Sequence, residues 1–162
     1  VVIVGLLRGR IVADVHRGQA MTWLREGLRE CAAHAAPRGV RLAIEPINRY
    51  EADLILTAAE ALELCHELAA ENVGLLLDTF HMNIEETSLE GAITQAGERL
   101  FHFHVADSNR RYPGAGHIRF PALLEVLRQI GYQGYISGEM LPLPDPITAA
   151  REMRRYLRSL GI

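Results

Sequence analysis

The sequence lacks most of the features that mark secreted or membrane-bound proteins. Its 162 residues include only two cysteines, Cys31 and Cys65, and each lies within a helical pattern. Two such thiols do not make a disulfide framework, so we interpret both as small core residues in a reducing compartment. No apolar run is long enough to span a bilayer, and the first residues lack the layout of a signal peptide. A cytoplasmic location is therefore expected.

An excess of positive charge is also absent. Basic residues number 17 against 20 acidic residues, for a formal net charge of -3. Proteins that bind nucleic acids or membrane surfaces usually carry clustered basic charge, so neither partner is expected. A composition of 49% hydrophobic and 23% charged residues fits one soluble globular unit. The chain opens on the strand-like run VVIVGLL without a methionine, which suggests the later part of a longer protein.

Short β-type runs alternate with helical patterns along the chain. The runs cover residues 1–7, 41–45, 73–78, 100–106 and 135–139. Apolar residues at helical spacing predict helices over residues 18–36, 57–70, 89–96 and 121–130, and a last helix from Pro146, capped by Asp145, to about Leu160. Thr57 and Glu60 give the second helix a capping-box pattern. Strict alternation with almost continuously apolar strands predicts a parallel sheet covered by helices.

Four polar residues stand at or near the ends of these apolar runs. Glu45 closes the second run, Asp78 the third and Glu139 the fifth, and His104 lies late in the fourth. Their separations are 33, 26 and 35 residues, about one strand–helix unit each. The carboxyl ends of the strands converge on one face of a parallel barrel, whereas in an open doubly wound sheet they form a line. The barrel is therefore the arrangement in which these four side chains meet.

We predict an α/β fold of the (β/α)8 TIM-barrel type. A complete barrel has eight strand–helix units in about 250 residues, and this chain supplies about the last five. Residues 1–162 are then the C-terminal part of a single barrel domain. Either three N-terminal units precede them in a longer protein, which we favour, or the chain closes its barrel by association.

Two glutamates, one aspartate and one histidine make a hard, oxygen-rich set of ligands. Such a set favours Mn²⁺, Mg²⁺ or Co²⁺, because a structural zinc site would show pairs of cysteine and histidine. The plain alternative is that each residue caps a strand or pairs with an arginine. That alternative suits Asp78 or Glu139 taken singly, but the common position of all four at strand ends favours a metal site.

Four segments together resemble a known family of barrels. They are IEPINRYE, LLLDTFHMNIEE, FHFHVADSNRRYPGAGHI and GYISGE, in this order. They resemble the ketose 3-epimerase branch of the xylose isomerase-like TIM barrels, which includes D-tagatose, D-psicose and L-ribulose 3-epimerases and 5-keto-L-gluconate epimerase. The keto-gluconate type resembles the chain most, because RYE, DTFHMNIEE, FHFHVADSNR and LPLP occur together.

The resemblance implies an isomerase that depends on a divalent metal ion, with Mn²⁺ preferred. It also implies a ketose or keto-sugar acid as the substrate. The family's metal ligands fall on Glu45, Asp78, His104 and Glu139, and its contacts to substrate oxygens fall on Glu51, His81 and Arg110.

Epimerisation beside a ketone requires removal of a weakly acidic proton and its return to the opposite face. A divalent ion that bridges the ketone and a neighbouring hydroxyl group stabilises the enediolate. Two carboxylates on opposite sides of the carbon can act as base and acid, and we assign these roles to Glu45 and Glu139. The remaining assignments are carbonyl polarisation by His81 and Arg110, and metal ligation alone by Asp78 and His104. Glu51 would bind the terminal hydroxyl group or tune the neighbouring residue.

Several other polar residues have two interpretations. Arg8 and Arg10 follow the first run in LLRGR, where either could bind a substrate carboxylate or pair with a neighbouring loop acid. We interpret His102 as an interior residue, whereas His117 either reaches the pocket or lies in solvent. Three more histidines are predicted to lie at the surface: His16, His34 and His66.

Three other functions compete with epimerisation. An aldose–ketose or hydroxypyruvate-type isomerase on the same barrel would use the same enediolate and metal. A barrel of the endonuclease IV type is disfavoured, because it needs more histidines at strand ends and a basic surface. A truncated, non-catalytic barrel is the third, and its two open strand edges, residues 1–7 and 135–139, would favour association into a homo-oligomer.

Overall fold

Five strands form a single parallel sheet in the computed structural model, which describes residues 1–162. The strands are β1 (Val2–Val4), β2 (Leu42–Ile44), β3 (Val73–Asp78), β4 (Leu100–Val105) and β5 (Ile136–Gly138). Their spatial order is β1-β2-β3-β4-β5, and every neighbouring pair is parallel. β1 and β5 are therefore edge strands.

Helices connect and cover these strands. The α-helices are α1 (Arg17–Ala35), α2 (Ala58–Leu68), α3 (Thr79–Glu85), α4 (Leu89–Ala96), α5 (Phe120–Gln129) and α6 (Pro146–Ser159). Short 3-10 helices cover Leu6–Arg8, Ala36–Arg38 and Gly97–Arg99. None of the helices combines the length and the apolarity needed to cross a membrane.

The strand order confirms the predicted barrel architecture. A strand order that follows the chain without reversal belongs to a barrel segment, because a doubly wound sheet reverses its order at a switch point. The fold is therefore a partial TIM barrel. In the sheet register Asp78 lies beside His104, and His104 lies beside Ser137, so the carboxyl ends of β3, β4 and β5 are level.

The main core lies between the sheet and its helices and contains 29 buried residues. Strand β3 shows how the two faces of the sheet differ. Leu75 and Leu77 pack into this main core, whereas Leu76 belongs to a small second cluster with Ala43 on the concave face. Side chains alternate between faces along a strand, so Asp78 shares the concave face with Leu76. The alternation of apolar residues thus aims the candidate ligands into the barrel mouth.

The predicted first strand is too long. β1 ends at Val4, and the chain then turns through the 3-10 helix Leu6–Arg8. The side chains of Leu6 and Leu7 are exposed, so they do not continue the buried face of the strand. An apolar pattern alone does not mark the residue at which a strand leaves its sheet.

Helix α3 was not predicted from the sequence. It begins directly after β3, and Asp78 is both the last strand residue and the N-cap, with its Oδ1 accepting the N–H of Phe80 at 2.8 Å. A helix of seven residues is too short for periodicity to reveal it.

The predicted helix starts at α2 and α6 are present, the first in a modified form. Thr57 accepts the N–H of Glu60 at 3.2 Å, but the Glu60 carboxylate accepts the N–H of Leu56 instead of that of Thr57. Asp145 caps α6 as predicted and accepts the N–H of Thr148 at 2.9 Å. Both caps satisfy amide groups that the first helical turn leaves unpaired.

The prediction of two core cysteines is wrong for one of them. Cys65 is fully buried in α2, whereas Cys31 is exposed on α1. Cys31 and Trp23 line an open apolar groove of about 350 Å³ between α1 and the end of β1. Periodicity identified the apolar face of α1 correctly, but no element of this chain covers that part of it. The surface histidines His16, His34 and His66 are exposed as predicted.

Candidate metal centre and active site

The strand ends bring together the four residues that the sequence marks as candidate ligands. Glu45 directly follows β2, Asp78 ends β3, His104 lies one residue before the end of β4, and Glu139 directly follows β5. One potential ligand atom from each lies within 4.8 Å of those of the other three. Residues up to 94 positions apart in the chain therefore form one cluster at the mouth of the half-barrel.

The imidazole of His104 lies at the centre of this cluster. Its Nδ1 is 3.2 Å from Oε2 of Glu139, 3.8 Å from Oε1 of Glu45 and 3.8 Å from Oδ2 of Asp78. Glu45, Asp78 and His104 are buried, whereas the side chain of Glu139 is 49% exposed. Three residues thus form the floor of the cluster, and Glu139 forms its rim.

Burial and hydrogen bonding separate the proton affinities of the carboxyl groups. Burial, together with the charges of Glu139 and Asp78, raises the pKa of Glu45 to about 7, and burial raises the pKa of Asp78 to about 6. The hydrogen bond with His104 lowers the pKa of Glu139 to about 2. Carboxyl groups whose pKa values are pushed apart in this way are typical of functional sites.

The cluster has the properties expected of a divalent-cation site. Oε1 of Glu45 is buried and has no hydrogen-bond partner, an arrangement that costs free energy unless another group satisfies the oxygen. Three carboxylates and one imidazole make a hard donor set that suits Mn²⁺, Mg²⁺ or Co²⁺. The residues present therefore fit a divalent metal ion.

Arg110 covers the mouth of the cluster from the loop after β4. Its Nη1 donates to Oδ2 of Asp78 and its Nη2 donates to Oε2 of Glu139, both at 2.7 Å. Its guanidinium lies 4.7 Å from the centre of the Phe80 ring, which favours a planar cation at this position. The positive charge of Arg110 offsets part of the repulsion among the carboxylates. The residue that the resemblance marks as a substrate contact thus lies against two candidate ligands.

Glu51 and His81, the other two expected substrate contacts, are linked by a residue that the sequence analysis did not single out. Asn48 is 1% exposed, and its Nδ2 lies 2.8 Å from Oε1 of Glu51 and 2.7 Å from Nδ1 of His81. Burial, and next the charge of Arg110, lower the pKa of His81 to about 4, so its ring is neutral. The available sequence signal was an amide placed directly after the apolar run that contains Glu45.

Gly5 lies against the carboxylate of Glu45 at the end of β1. A Cβ atom at this position would come within 2.5 Å of Oε2 of Glu45 and 3.5 Å of Cδ1 of Ile47. The first contact is far inside van der Waals distance. The absence of a side chain at Gly5 therefore makes room for the Glu45 carboxylate.

Gly5→Ala is expected to lower the affinity of the cluster for Mn²⁺ about 10- to 100-fold, the usual cost of disturbing a group that orients a ligand. The clash falls on the end of the flexible Glu45 side chain, so Glu45 should move while the fold remains intact. Titration of Mn²⁺ against a fluorescent chelator measures the affinity. Gly18→Ala, in α1 with open space at its Cβ, is the matched control. An unchanged affinity in Gly5→Ala would contradict this role.

The contacts of Arg8 match neither of its two interpretations, which were a substrate carboxylate and a neighbouring loop acid. Its guanidinium donates to five backbone carbonyl groups, and burial lowers its pKa from the ordinary value. The acceptors are the carbonyl oxygens of Val4, Gly5, Glu45, Leu54 and Ile55. Arg8 therefore joins the ends of β1 and β2 to the loop before α2.

Arg10 and two histidines also have their partners within the chain. Arg10 pairs with the loop acid Asp53 at 3.0 Å, which was the alternative considered for it. His102 contacts the hydroxyl of Ser137 at 2.7 Å and stacks edge-on with the ring of His104. His117 contacts Ser108 at 3.0 Å and stays exposed on its loop.

Asp107 organises the loop that carries Arg110. It is fully buried, and its carboxylate accepts the N–H groups of Ser108 at 2.8 Å, Gly114 at 2.8 Å and Ile118 at 3.1 Å. Burial opposes its ionisation, but the backbone N–H groups together outweigh burial and lower its pKa. A carboxylate that accepts several N–H groups closes the loop much as a short helix cap does.

Asp107→Asn is expected to lower the free energy of unfolding by about 1–3 kcal/mol at neutral pH, because an amide oxygen replaces only part of the acceptor capacity. The pKa of Asp107 is lower in the folded state than its ordinary value of 3.8. Its ionised form therefore stabilises the fold above pH 3.8, and this stabilisation is lost as the pH falls through the lower folded pKa. Urea unfolding at several pH values measures the difference, with the exposed Asp14→Asn as control. A gap between wild type and Asp107→Asn that widened in acid would contradict the assignment.

Comparison with known proteins defines the class of this protein. Residues 1–160 match the family described as xylose isomerase-like TIM barrel. The chain belongs to this family. A solved structure of D-psicose 3-epimerase with D-tagatose from Clostridium cellulolyticum H10 superposes with a TM-score of 0.87 and 31% sequence identity, over 98% of this chain and 63% of that chain.

The curated relatives of this chain are sugar epimerases, most of them ketose 3-epimerases. D-psicose 3-epimerase of Ruminiclostridium cellulolyticum is 44% identical over 114 residues, which are 70% of this chain and 39% of the relative. L-ribulose 3-epimerase of Methylomonas sp. is 38% identical over 112 residues, 69% of this chain and 39% of the relative. A 3-dehydro-D-guloside 4-epimerase of Escherichia coli is 38% identical over 135 residues, 83% of this chain and 52% of the relative. The chain thus spans between two fifths and about half of the length of these relatives.

Proposed function

We propose that the protein is an epimerase that depends on a divalent metal ion and inverts the carbon next to the ketone of a ketose or keto-sugar acid. The observation that carries the proposal is the convergence of three carboxylates and one imidazole within 4.8 Å at the strand ends. The D-psicose and L-ribulose 3-epimerases among the relatives support the choice of reaction. Residues 1–162 would supply about the last five strand–helix units of a single barrel domain.

Glu45, Asp78, His104 and Glu139 would hold the ion, for which we propose Mn²⁺. A divalent cation held by these residues would supply positive charge that stabilises the negative charge developing on the sugar oxygens. Asp78 and His104 come from the two central strands of the four that contribute, and their proposed role is ligation alone.

Glu45 and Glu139 are the proposed acid–base pair. They follow β2 and β5, so they are the outer two of the four residues along the sheet and can approach a carbon atom from opposite sides. In one direction Glu139 takes the proton from the carbon next to the ketone, and the C–H electron pair forms the enediolate. Glu45 then gives a proton to the opposite face of the same carbon, and the roles exchange in the reverse direction.

The remaining proposed contacts act on the sugar oxygens. Arg110 and His81 donate hydrogen bonds to the carbonyl end, and Glu51 accepts a hydrogen bond from a hydroxyl group. Their positions support these roles, because Arg110 touches the candidate ligands directly and His81 and Glu51 share the amide of Asn48.

Hydrogen exchange in D₂O tests the proposal. The protein with Mn²⁺ is incubated with D-tagatose, D-psicose, L-ribulose or 5-keto-gluconate, the metal is removed, and the sugar is analysed by NMR. Metal-dependent deuterium at the carbon next to the ketone, together with the epimer, is the expected result. Deuterium at C1 or C2 with formation of an aldose would instead indicate an aldose–ketose isomerase. No exchange with any sugar would favour a non-catalytic barrel.

A keto-glycoside 4-epimerase is a second candidate, favoured by the Escherichia coli relative named 3-dehydro-D-guloside 4-epimerase. Its name describes inversion beside a ketone at a different position of the sugar ring, so the same acid–base pair would serve. A 3-keto-glycoside belongs in the same D₂O experiment.

The 5-keto-gluconate assignment stays a proposal based on motif resemblance, and Arg8 does not support it because its guanidinium is bound to backbone carbonyl groups.

We also propose that the protein forms homo-oligomers. When residues 1–162 are studied alone, the edge strands β1 and β5 each have one unpaired side, and such edges favour association. Exposed apolar side chains of Leu7, Val12 and Trp23 lie near the β1 edge. Sedimentation velocity is expected to show a dimer or larger species, whereas a monomer across the concentration range would contradict this proposal.

A further inference from the structure

The side chain of Asn48 makes three hydrogen-bond contacts although it is almost completely buried. Its Oδ1 accepts the N–H of Tyr50 at 3.0 Å. Its Nδ2 contacts Oε1 of Glu51 at 2.8 Å and Nδ1 of His81 at 2.7 Å. The two residues on the nitrogen side are the two proposed substrate contacts that do not touch the candidate ligands by hydrogen bonds. The amide therefore lies between groups with proposed roles in substrate binding.

These contacts determine the orientation of the amide. The N–H of Tyr50 is a donor, so the atom of Asn48 that faces it must be the acceptor oxygen. The nitrogen of the amide then faces Glu51 and His81, and a primary amide nitrogen donates two hydrogen bonds and accepts none. Glu51 accepts one of them through its carboxylate. Nδ1 of His81 must accept the other.

The orientation of the amide determines the tautomer of His81. A neutral imidazole carries one proton, and an Nδ1 that accepts a hydrogen bond leaves this proton on Nε2. Nε2 of His81 makes no hydrogen bond within the chain and is not among the fully buried unpaired atoms. Its N–H is therefore free to donate to a ligand. Burial and the charge of Arg110 lower the pKa of the ring to about 4, which agrees with a neutral donor.

We propose that Asn48 is a positioning residue that holds His81 in the tautomer with its proton on Nε2, so that His81 donates a hydrogen bond to the carbonyl oxygen of the sugar. This inference rests on the proposed function for the identity of the acceptor, whereas the tautomer follows from the contacts of Asn48 alone. The second amide hydrogen holds Glu51 at the same time. One buried amide thus positions a donor and an acceptor for the oxygens of the substrate.

The tautomer is measurable without any substrate. Protein labelled with ¹⁵N in histidine and loaded with diamagnetic Mg²⁺ is expected to show the NMR pattern of a neutral ring with protonated Nε2 at His81. The resonance is assigned from its loss in His81→Gln. A wild-type ring with protonated Nδ1 would overturn the inference.

Asn48→Asp reverses the hydrogen bond, because a carboxylate only accepts. The expected result is a neutral His81 ring with its proton on Nδ1 and none on Nε2, because burial and the charge of Arg110 disfavour a second proton. Asn72→Asp is the matched control: Asn72 also donates two hydrogen bonds, to the carbonyl oxygens of Ala32 and Val40, but it precedes β3 at the opposite end of the sheet. The control should leave the ring nitrogens of His81 unchanged. Unchanged protonation of the two ring nitrogens of His81 in Asn48→Asp would contradict the assignment.

Kinetics separate a positioning role from a purely structural one. Asn48→Asp is expected to lower kcat about 10²- to 10³-fold with little change in KM, the effect of losing one hydrogen bond to a developing oxyanion. A rise in KM with unchanged kcat would overturn the carbonyl contact. If the tautomer changes as expected but the wild type epimerises no sugar, the tautomer assignment stands and the proposed function fails.

Discussion

Glu45→Gln and Glu139→Gln are each expected to lower kcat for epimerisation about a thousandfold, within the range for loss of a general acid or base. Glutamine keeps the shape and one oxygen of the side chain but cannot take up or release the proton. The two residues lie at the outer ends of the row of four strand ends, so neither can take over the side of the carbon that faces the other. Each variant should therefore lose epimerisation, because each lacks the proton donor or acceptor on one face of the carbon.

Isotope exchange distinguishes the two variants. Each is incubated in D₂O with each epimer of a pair separately. Each variant keeps one of the two carboxylates. It should therefore exchange the proton of the epimer whose C–H bond faces that carboxylate, without forming the other epimer. Glu45→Gln and Glu139→Gln should then show this exchange with opposite epimers. Epimer formation by either variant at the wild-type rate would contradict the assignment.

A loss of bound metal would imitate this result, so both variants need a metal measurement. Each glutamate is also a candidate ligand, and its amide binds a hard cation more weakly than the carboxylate does. Rates are therefore compared at saturating Mn²⁺, with bound metal determined by elemental analysis. Glu125→Gln is the matched control, because Glu125 lies exposed on α5, pairs with Arg128 and is not one of the four cluster residues. It should retain wild-type activity.

Mn²⁺ is expected to raise the melting temperature by about 5–10 °C at a concentration a hundred times its Kd. Binding to the folded state alone adds about 2.7 kcal/mol at that concentration. A domain of this size gains roughly 2–4 °C for each kcal/mol. The expected source is electrostatic, because a bound ion would satisfy the unpaired Oε1 of Glu45 and reduce the repulsion among the three carboxylates.

Thermal unfolding followed by circular dichroism tests the metal effect. Addition of EDTA should return the melting temperature to that of the metal-free protein. Asp78→Asn and His104→Ala should each abolish most of the shift, because each removes one of the four ligands. Asp14→Asn, an exposed acid outside the cluster, should leave the shift intact. An equal shift in all three variants would mean that the ion binds elsewhere.

The parts of the fold with continuous apolar runs were predictable from the sequence. Strand β3 matches its predicted bounds, because six consecutive residues are buried on both faces and a carboxylate ends the run. Helix α4 also matches its predicted bounds, since it is amphipathic and begins at a capping serine. In these two elements the local sequence pattern and the tertiary burial indicate the same first and last residues.

The parts that were not predictable depend on contacts between distant residues. Arg8 has the sequence context of a substrate-binding arginine, but carbonyl groups up to 47 residues away accept its hydrogen bonds. Cys31 continues an apolar helical face, and its exposure depends on what lies beside α1. Asn48 gives no periodic signal, because its importance comes largely from His81, which is 33 residues away and is brought to it by the fold.

Arg8 has a further consequence for the motions of the protein. One planar side chain holds carbonyl groups from β1, from the end of β2 and from the loop before α2. Opening any one of these segments alone would break hydrogen bonds that the other two share through the same guanidinium. The three segments should therefore open as one cooperative unit instead of fraying separately. Glu45 belongs to that unit, so the candidate ligand from β2 keeps its place even though β1 forms an open edge of the sheet.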